Sequence, residues 1–182
     1  GVLTGTAGAA TVGSAKNYEN FSLIVDWKTD GEAGLGIRSI PQIALGGRNA
    51  GALTGNMLHE NTSPTEAANK PGEWNTMEVR VVNDRVTVIL NGVTTCQNVI
   101  LENTCNREIP AYTEGQILLV GGTAPVSFRD MYIRELPPTP RYELSAEEAA
   151  EGFEVLFDGT SMHKWTGNTT NYVPLDGTIY VT

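Results

Sequence analysis

The chain has 182 residues, 40% of them hydrophobic, and a formal net charge of −9. That length suits one domain, or one and a fraction, with room for a sizeable core. The acidic balance repels nucleic acid and anionic membrane surfaces, and no apolar run approaches the ~20 residues needed to span a bilayer.

Helix-forming runs are scarce. Short β-branched segments punctuated by Gly, Asn, Asp and Pro predict an all-β sandwich. Residues 21–27 alternate, with Phe21, Leu23, Val25 and Trp27 facing a core and Ser22, Ile24 and Asp26 facing out. A second strand is expected at 34–40, with Leu35 and Ile37 inward and Arg38 outward. The stretch 46–70 is rich in Gly, Asn, Thr and Ala and reads as a long loop or broken strands, a common setting for functional residues. Residues 74–82 alternate again, with Glu78 and Arg80 on the polar side. Asn83-Asp84 leads into a strand at 85–90, and Asn91-Gly92 is the strongest turn signal in the chain. Strands at 93–101, 116–120 and 126–134 complete a main body over 1–136.

The run P-P-T-P-R at 137–141 cannot continue a strand and reads as a stiff linker. Ser145 with Glu148 three residues on, followed by A-A-E-G, predicts a capping box and a short helix that stops at Gly152. This linker and helix occupy 137–152; residues 153–182 then read like the start of a new sandwich, with an apolar strand, an Asp158-Gly159 turn, an anchoring Trp165 and a second strand. The chain opens with G-V-L-T-G-T and closes with G-T-I-Y-V-T, so its two ends resemble one strand of a repeat cut in mid-domain. Cys96 and Cys105 either close a short disulfide loop or stay as two thiols; both readings are open.

Several segments together resemble one family: F-E-V-L-F-D-G-T-S-M-H-K-W at 153–165, Y-V-P-L-D-G-T-I at 172–179, N-Y-E-N-F-S-L-I-V-D-W at 17–27, G-L-G-I-R at 34–38, K-P-G-E-W-N-T at 70–76, V-I-L-N-G-V at 88–93, V-I-L-E-N at 99–103 and F-R-D-M-Y-I-R-E-L at 128–136. The family is that of the 3-keto-disaccharide hydrolase domains. The order is rotated, because in the family the pieces from 153–182 precede those from 1–136. The resemblance implies a concanavalin A-like jelly-roll β-sandwich, a carbohydrate partner, no cofactor, and a periplasmic or secreted bacterial setting. It also implies hydrolase-like cleavage of a disaccharide or 3-keto-glycoside, with a non-catalytic carbohydrate-binding or structural repeat as the alternative. The rotation leaves three arrangements open. Residues 153–182 complete their own sandwich as a circular permutation, which local concentration favours; or they complete a neighbour's in a strand-swapped homo-oligomer; or they begin an unfinished second domain.

Glycoside hydrolysis generally uses two carboxyl groups, about 5 Å apart in retaining and roughly 6.5–9.5 Å apart in inverting enzymes. Asp26, Glu78 and Glu102 are the candidate catalytic acids, and Arg38, Gln42, Arg80, Arg107, His59 and Trp74 the candidate substrate-binding residues. Against each stands a plainer reading: solvated ion pairs on a sheet face, a Glu102–Arg107 pair that only fixes its loop, a surface His59, a structural Trp74. No metal site is expected, since no Ca²⁺-loop pattern or paired Cys/His set is present. Two departures from the family weigh against catalysis. Ile40 and Leu45 stand where the resemblance places acids on either side of the Q-I strand, and V-G-G-T at 120–123 stands where it places a His.

Overall fold

The computed structural model describes residues 1–56 and 67–181. In chain order its strands are β1 (Val2–Gly5), β2 (Val12–Gly13), β3 (Phe21–Thr29), β4 (Ala33–Gly36), β5 (Gln42–Leu45), β6 (Leu53–Thr54), β7 (Asn75–Val82), β8 (Arg85–Leu90), β9 (Val93–Ile100), β10 (Leu118–Val120), β11 (Val126–Glu135), β12 (Tyr172–Leu175) and β13 (Thr178–Val181). The pairings are antiparallel. One sheet has the order β1-β11-β3-β7-β8-β9 and the other β2-β10-β4-β5-β6. The core lies between them, as expected of an all-β jelly-roll sandwich.

Alternation built this core. β3 buries Phe21, Leu23, Val25 and Trp27, and β7 answers with Met77, Val79 and Val81. Leu35, Ile43 and Leu45 come from the second sheet and Ile37 from the turn after β4, and all four are fully buried. Each such side chain contributes roughly 1.5–3 kcal/mol relative to exposure. The turn signals act where the sequence placed them. Asn91 (φ 50) and Gly92 (φ 80) both take left-handed conformations between β8 and β9, the geometry a two-residue hairpin of the right twist requires. Asn91 Oδ1 also accepts from the Thr76 amide at 2.9 Å, locking the hairpin to β7.

One expectation needs correcting, and two open readings are decided. The second strand stops at Gly36, because Arg38 (φ 49) and Ser39 (φ 72) turn the chain through left-handed conformations into β5. Arg38 is therefore not an outward strand residue; it is 2% exposed. The described part of the stretch read as a long loop or broken strands carries the short strand β6 and buries Ala50, Ala52, Leu53 and Ala67. Cys96 and Cys105 form no disulfide: Cys96 is buried and Cys105 exposed. Burial pushes the Cys96 thiol up to about 11.

The helix at Ala146–Ala150 has both arms of its capping box, Glu148 N to Ser145 Oγ at 3.2 Å and Ser145 N to Glu148 Oε2 at 2.8 Å, yet it buries no residue. Beyond it, β12 and β13 pair with each other and join neither large sheet. This tail rests on the body through buried Met162 and Val173, Gly167 N to Glu108 O at 2.8 Å, and Arg85 Nη2 to Pro174 O at 3.3 Å. Arg141 of the linker pairs with Glu19 of the body and Asp158 of the tail.

Where β10 ends, Gly121 and Gly122 are held by contact. A Cβ on Gly122 would lie 1.5 Å from the carbonyl oxygen of Glu32, and one on Gly121 would lie 2.4 Å from that of Ala9. These glycines let β2, β4 and their loops crowd together. Gly122→Ala is expected to lower stability by about 1–3 kcal/mol through forced backbone movement, measured by urea unfolding; an unchanged midpoint would contradict the close approach.

Candidate functional site

The outward face of the five-stranded sheet is hollow. Along β5, Ile43 and Leu45 point into the core, so Gln42 and Ala44 point outward. Their neighbours across the sheet are Gly36 and Gly34 of β4, and Thr54 of β6 stands beside Gln42. With no side chain on Gly34, the Gln42 amide lies across it; a Cβ there would sit 2.6 Å from Gln42 Oε1. Small residues on successive strands thus open a cleft of about 630 Å³. Glu32, Asn49 and the 120–123 V-G-G-T segment form one side, and Thr54 and Gly55 border the other.

The lining is polar and nearly uncharged. Among the described residues Glu32 is the single ionisable side chain, and no Lys, Arg, His or aromatic residue lines the cleft. Thr123 Oγ1 accepts from the Glu32 amide at 3.1 Å, which holds that lip in place. The Gln42 side chain makes no hydrogen bond among the described residues, so its amide donors and acceptor are available on the floor. No cluster of three His, Cys, Asp or Glu that could hold a metal ion occurs among the described residues.

Glu102 and Arg107 brace the opposite lip from below. Glu102 is buried and paired with the Arg107 guanidinium, whose Nη2 donates to the carbonyl of Gly55 at 2.6 Å. Asn56 Oδ1 accepts from the Glu102 amide at 3.3 Å, and Asn56 Nδ2 donates to Ile100 O at 2.8 Å. The pair sets the height of Gly55 rather than offering a carboxylate to the cleft.

The other candidates lie elsewhere. Asp26, Glu78 and Arg80 face solvent on the six-stranded sheet, whose outward side is opposite the cleft. There Asp26 accepts from Thr76 Oγ1 at 2.7 Å and pairs with Arg129 at 3.2 Å. Trp74 is half-buried beside them, with the Arg129 guanidinium 4.0 Å and Lys28 Nζ 5.0 Å from its ring centre. The fold therefore does not bring Asp26 or Glu78 together with Glu102. Leu45 occupies the core, so an acid at that position would be buried. His59 lies outside the described residues. Sequence reasoning found Gln42 but passed over Glu32, Asn49 and Thr54. The available signal was the glycine pattern at 34, 36 and 121–122, since Gly in a strand marks a close approach.

Arg38 is a structural residue. Nε and Nη2 donate to Glu19 O at 2.8 and 2.5 Å, Nη1 to Tyr112 O at 3.3 Å, and Nη2 to Asn20 Oδ1 at 3.3 Å. Burial lowers its pKa to about 10, against the pull of Glu19 and Asp84, so it stays charged at neutral pH. Arg38→Ala is expected to destabilise the fold by about 2–4 kcal/mol by removing a buried side chain and the donors that hold the Glu19 and Tyr112 carbonyls and the Asn20 side chain. Chemical unfolding measures this, and a loss under about 0.5 kcal/mol would sink the structural role.

No curated protein matches the chain. Among solved structures it is similar to a candidate glycosyl hydrolase of Parabacteroides distasonis, at 26% identity and a TM-score of 0.58 over 75% of this chain and 87% of that one. A second candidate glycosyl hydrolase of the same organism is 20% identical, with a TM-score of 0.57 over 75% and 81% of the two chains. The carbohydrate-binding module CBM66 of Bacillus subtilis is 11% identical, with a TM-score of 0.50 over 69% and 81%. The last two likenesses speak for the fold alone. The family model for 3-keto-alpha-glucoside-1,2-lyase-like domains matches residues 1–134, a span that holds both large sheets almost to the end of β11. The chain therefore belongs to the 3-keto-alpha-glucoside-1,2-lyase-like domain family.

Proposed function

We propose that this domain binds an uncharged saccharide in the cleft of the five-stranded sheet. The observation that carries this is the floor: an unengaged Gln42 amide beside glycines that leave room for a sugar ring. A primary amide both donates and accepts, which suits vicinal hydroxyls. Family membership supports a carbohydrate ligand. Glu32 and the net charge of −9 disfavour uronates and sulfated sugars. No aromatic ring is present for stacking among the described lining residues. Affinity then rests on a few neutral hydrogen bonds of about 0.5–1.5 kcal/mol each, which corresponds to weak binding near 1 mM.

Glycoside cleavage is the second reading, favoured by Glu32 at the lip. Two-carboxylate hydrolysis finds one acid among the described lining residues rather than a pair. Elimination from a 3-keto-glycoside asks less. The ketone acidifies the proton at C2, and one carboxylate can remove it. The C1–O bond then breaks as the C1–C2 double bond forms, and the departing oxygen takes up a proton.

Titration calorimetry with neutral disaccharides and with galacturonate separates these readings. Neutral sugar is expected to bind saturably and galacturonate not at all. Gln42→Ala is expected to weaken binding at least about tenfold, the loss of roughly 1.4 kcal/mol, with an unchanged unfolding curve. Binding that survives Gln42→Ala would move the site off this floor. If a 3-keto-glucoside is turned over, Glu32→Gln should abolish turnover and keep binding; turnover that persists removes Glu32 as the base.

A further inference from the structure

Arg107 holds two parts of the molecule at once. Its guanidinium serves the cleft, pairing with buried Glu102 and donating to the Gly55 carbonyl at 2.6 Å. Its own carbonyl accepts from Thr170 Oγ1 at 3.5 Å, and the next carbonyl, that of Glu108, accepts from the Gly167 amide at 2.8 Å. One loop therefore joins the rim of the cleft to the segment that follows the linker and helix.

That loop is tied to itself. Asn103 is buried; its Nδ2 donates to Pro110 O at 3.2 Å, and its Oδ1 accepts from the amides of Cys105 and Asn106 at 3.2 and 2.9 Å. Asn106 Oδ1 accepts in turn from the Glu108 amide at 3.0 Å. A loop closed by such a network moves as a unit, so a displacement at Glu108 is carried to Arg107. Gly55 also meets the loop directly: a Cβ there would lie 3.0 Å from Thr104 Cγ2.

The segment is seated by apolar contact as well. Met162 and Val173 are buried at a seam that Leu101, Ile109 and Pro110 line from the body. The space left in the seam is about 30 Å³, room for about one water molecule. Neither Met162 nor Val173 belongs to the core cluster between the sheets. The body therefore keeps its core when the segment lifts, and the seam opens at a lower cost than the sandwich.

We propose that residues 162–174 are a positioning element for the cleft. Docked, they hold the 103–110 loop, and through Arg107 they fix the height of the Thr54–Gly55 rim. Lifting the segment loosens that rim and weakens saccharide binding. The effect on affinity rests on the reading of the cleft as a saccharide site; the movement of the rim does not. The coupling is reciprocal, so a saccharide in the cleft holds the segment down by the same factor.

The test uses the full chain. Met162→Asp with Val173→Asp is expected to lift the segment, seen as faster amide exchange over 162–174. Gly167→Pro removes the donor to Glu108 and leaves the apolar seam in place. Both are expected to shift the Gly55 amide resonance with no sugar present, while the resonances of β3 and β7 stay where they are. Affinity for a neutral disaccharide, by calorimetry, is expected to fall at least about fivefold. Met162→Leu with Val173→Ile is expected to keep both readouts at the parental values. A lifted segment with an unmoved Gly55 resonance overturns the proposal, as does a lifted segment with parental affinity. Should the Asp variant fail to fold, Gly167→Pro decides. A parent chain that binds no disaccharide ends the saccharide reading alone, and the Gly55 resonance then decides the coupling.

Discussion

The geometry of the cleft depends on the buried guanidinium of Arg38. A charge removed from water costs several kcal/mol unless its donors are met, and here the turn carrying Arg38 is fixed by carbonyls from two distant segments. Glu19 and Asn20 precede β3, and Tyr112 precedes β10. The turn in turn sets where β5 begins. A slip of one residue would send Ile43 and Leu45 outward and Gln42 and Ala44 inward, exchanging core for floor. The polar anchor inside the body thus decides which residues line the cleft on the outside.

Much of the fold was legible because alternation is a local signal with a global meaning. The pattern at β3 and β7 names its core face residue by residue, and Asn91-Gly92 names its turn. Arg38 was misread for the opposite reason. Its charge argued for solvent, and nothing local reveals that carbonyls near residues 19 and 112 satisfy it. The same limit applied to the carboxylates. Strand periodicity put Asp26 and Glu78 on a polar face, correctly, but a sandwich has two outward faces and periodicity does not say which one is hollow. Gln42 was found through its place in the Q-I strand. Asn49 and Thr54 lay in a stretch without period, and only sheet assembly brings them to the rim.

The cleft is hollow because of what its strands lack. Gly121 and Gly122 permit close backbone approach, with a neighbouring carbonyl in the place of each side chain, while at Gly34 and Gly36 that place is taken by the side chains of Gln42 and Leu118. At Gly121 and Gly122 the residues that border the hollow are thus also the ones that let the backbones crowd. A larger residue there would both fill the cleft and part the strands beneath it. Glu102 and Arg107 complete the arrangement: the guanidinium pairs with the buried acid and donates to the Gly55 carbonyl at the rim.

The two cysteines give the chain a built-in chronometer of its own breathing. Alkylating reagents attack the thiolate. Cys105 is exposed and open to them, whereas Cys96 sits between the sheets with its ionisation suppressed by burial. Modification of Cys96 must wait for β9 to part from its surroundings. The interval between the first and second labelling events therefore reports how often this edge of the sandwich opens while the rest of the molecule stays folded.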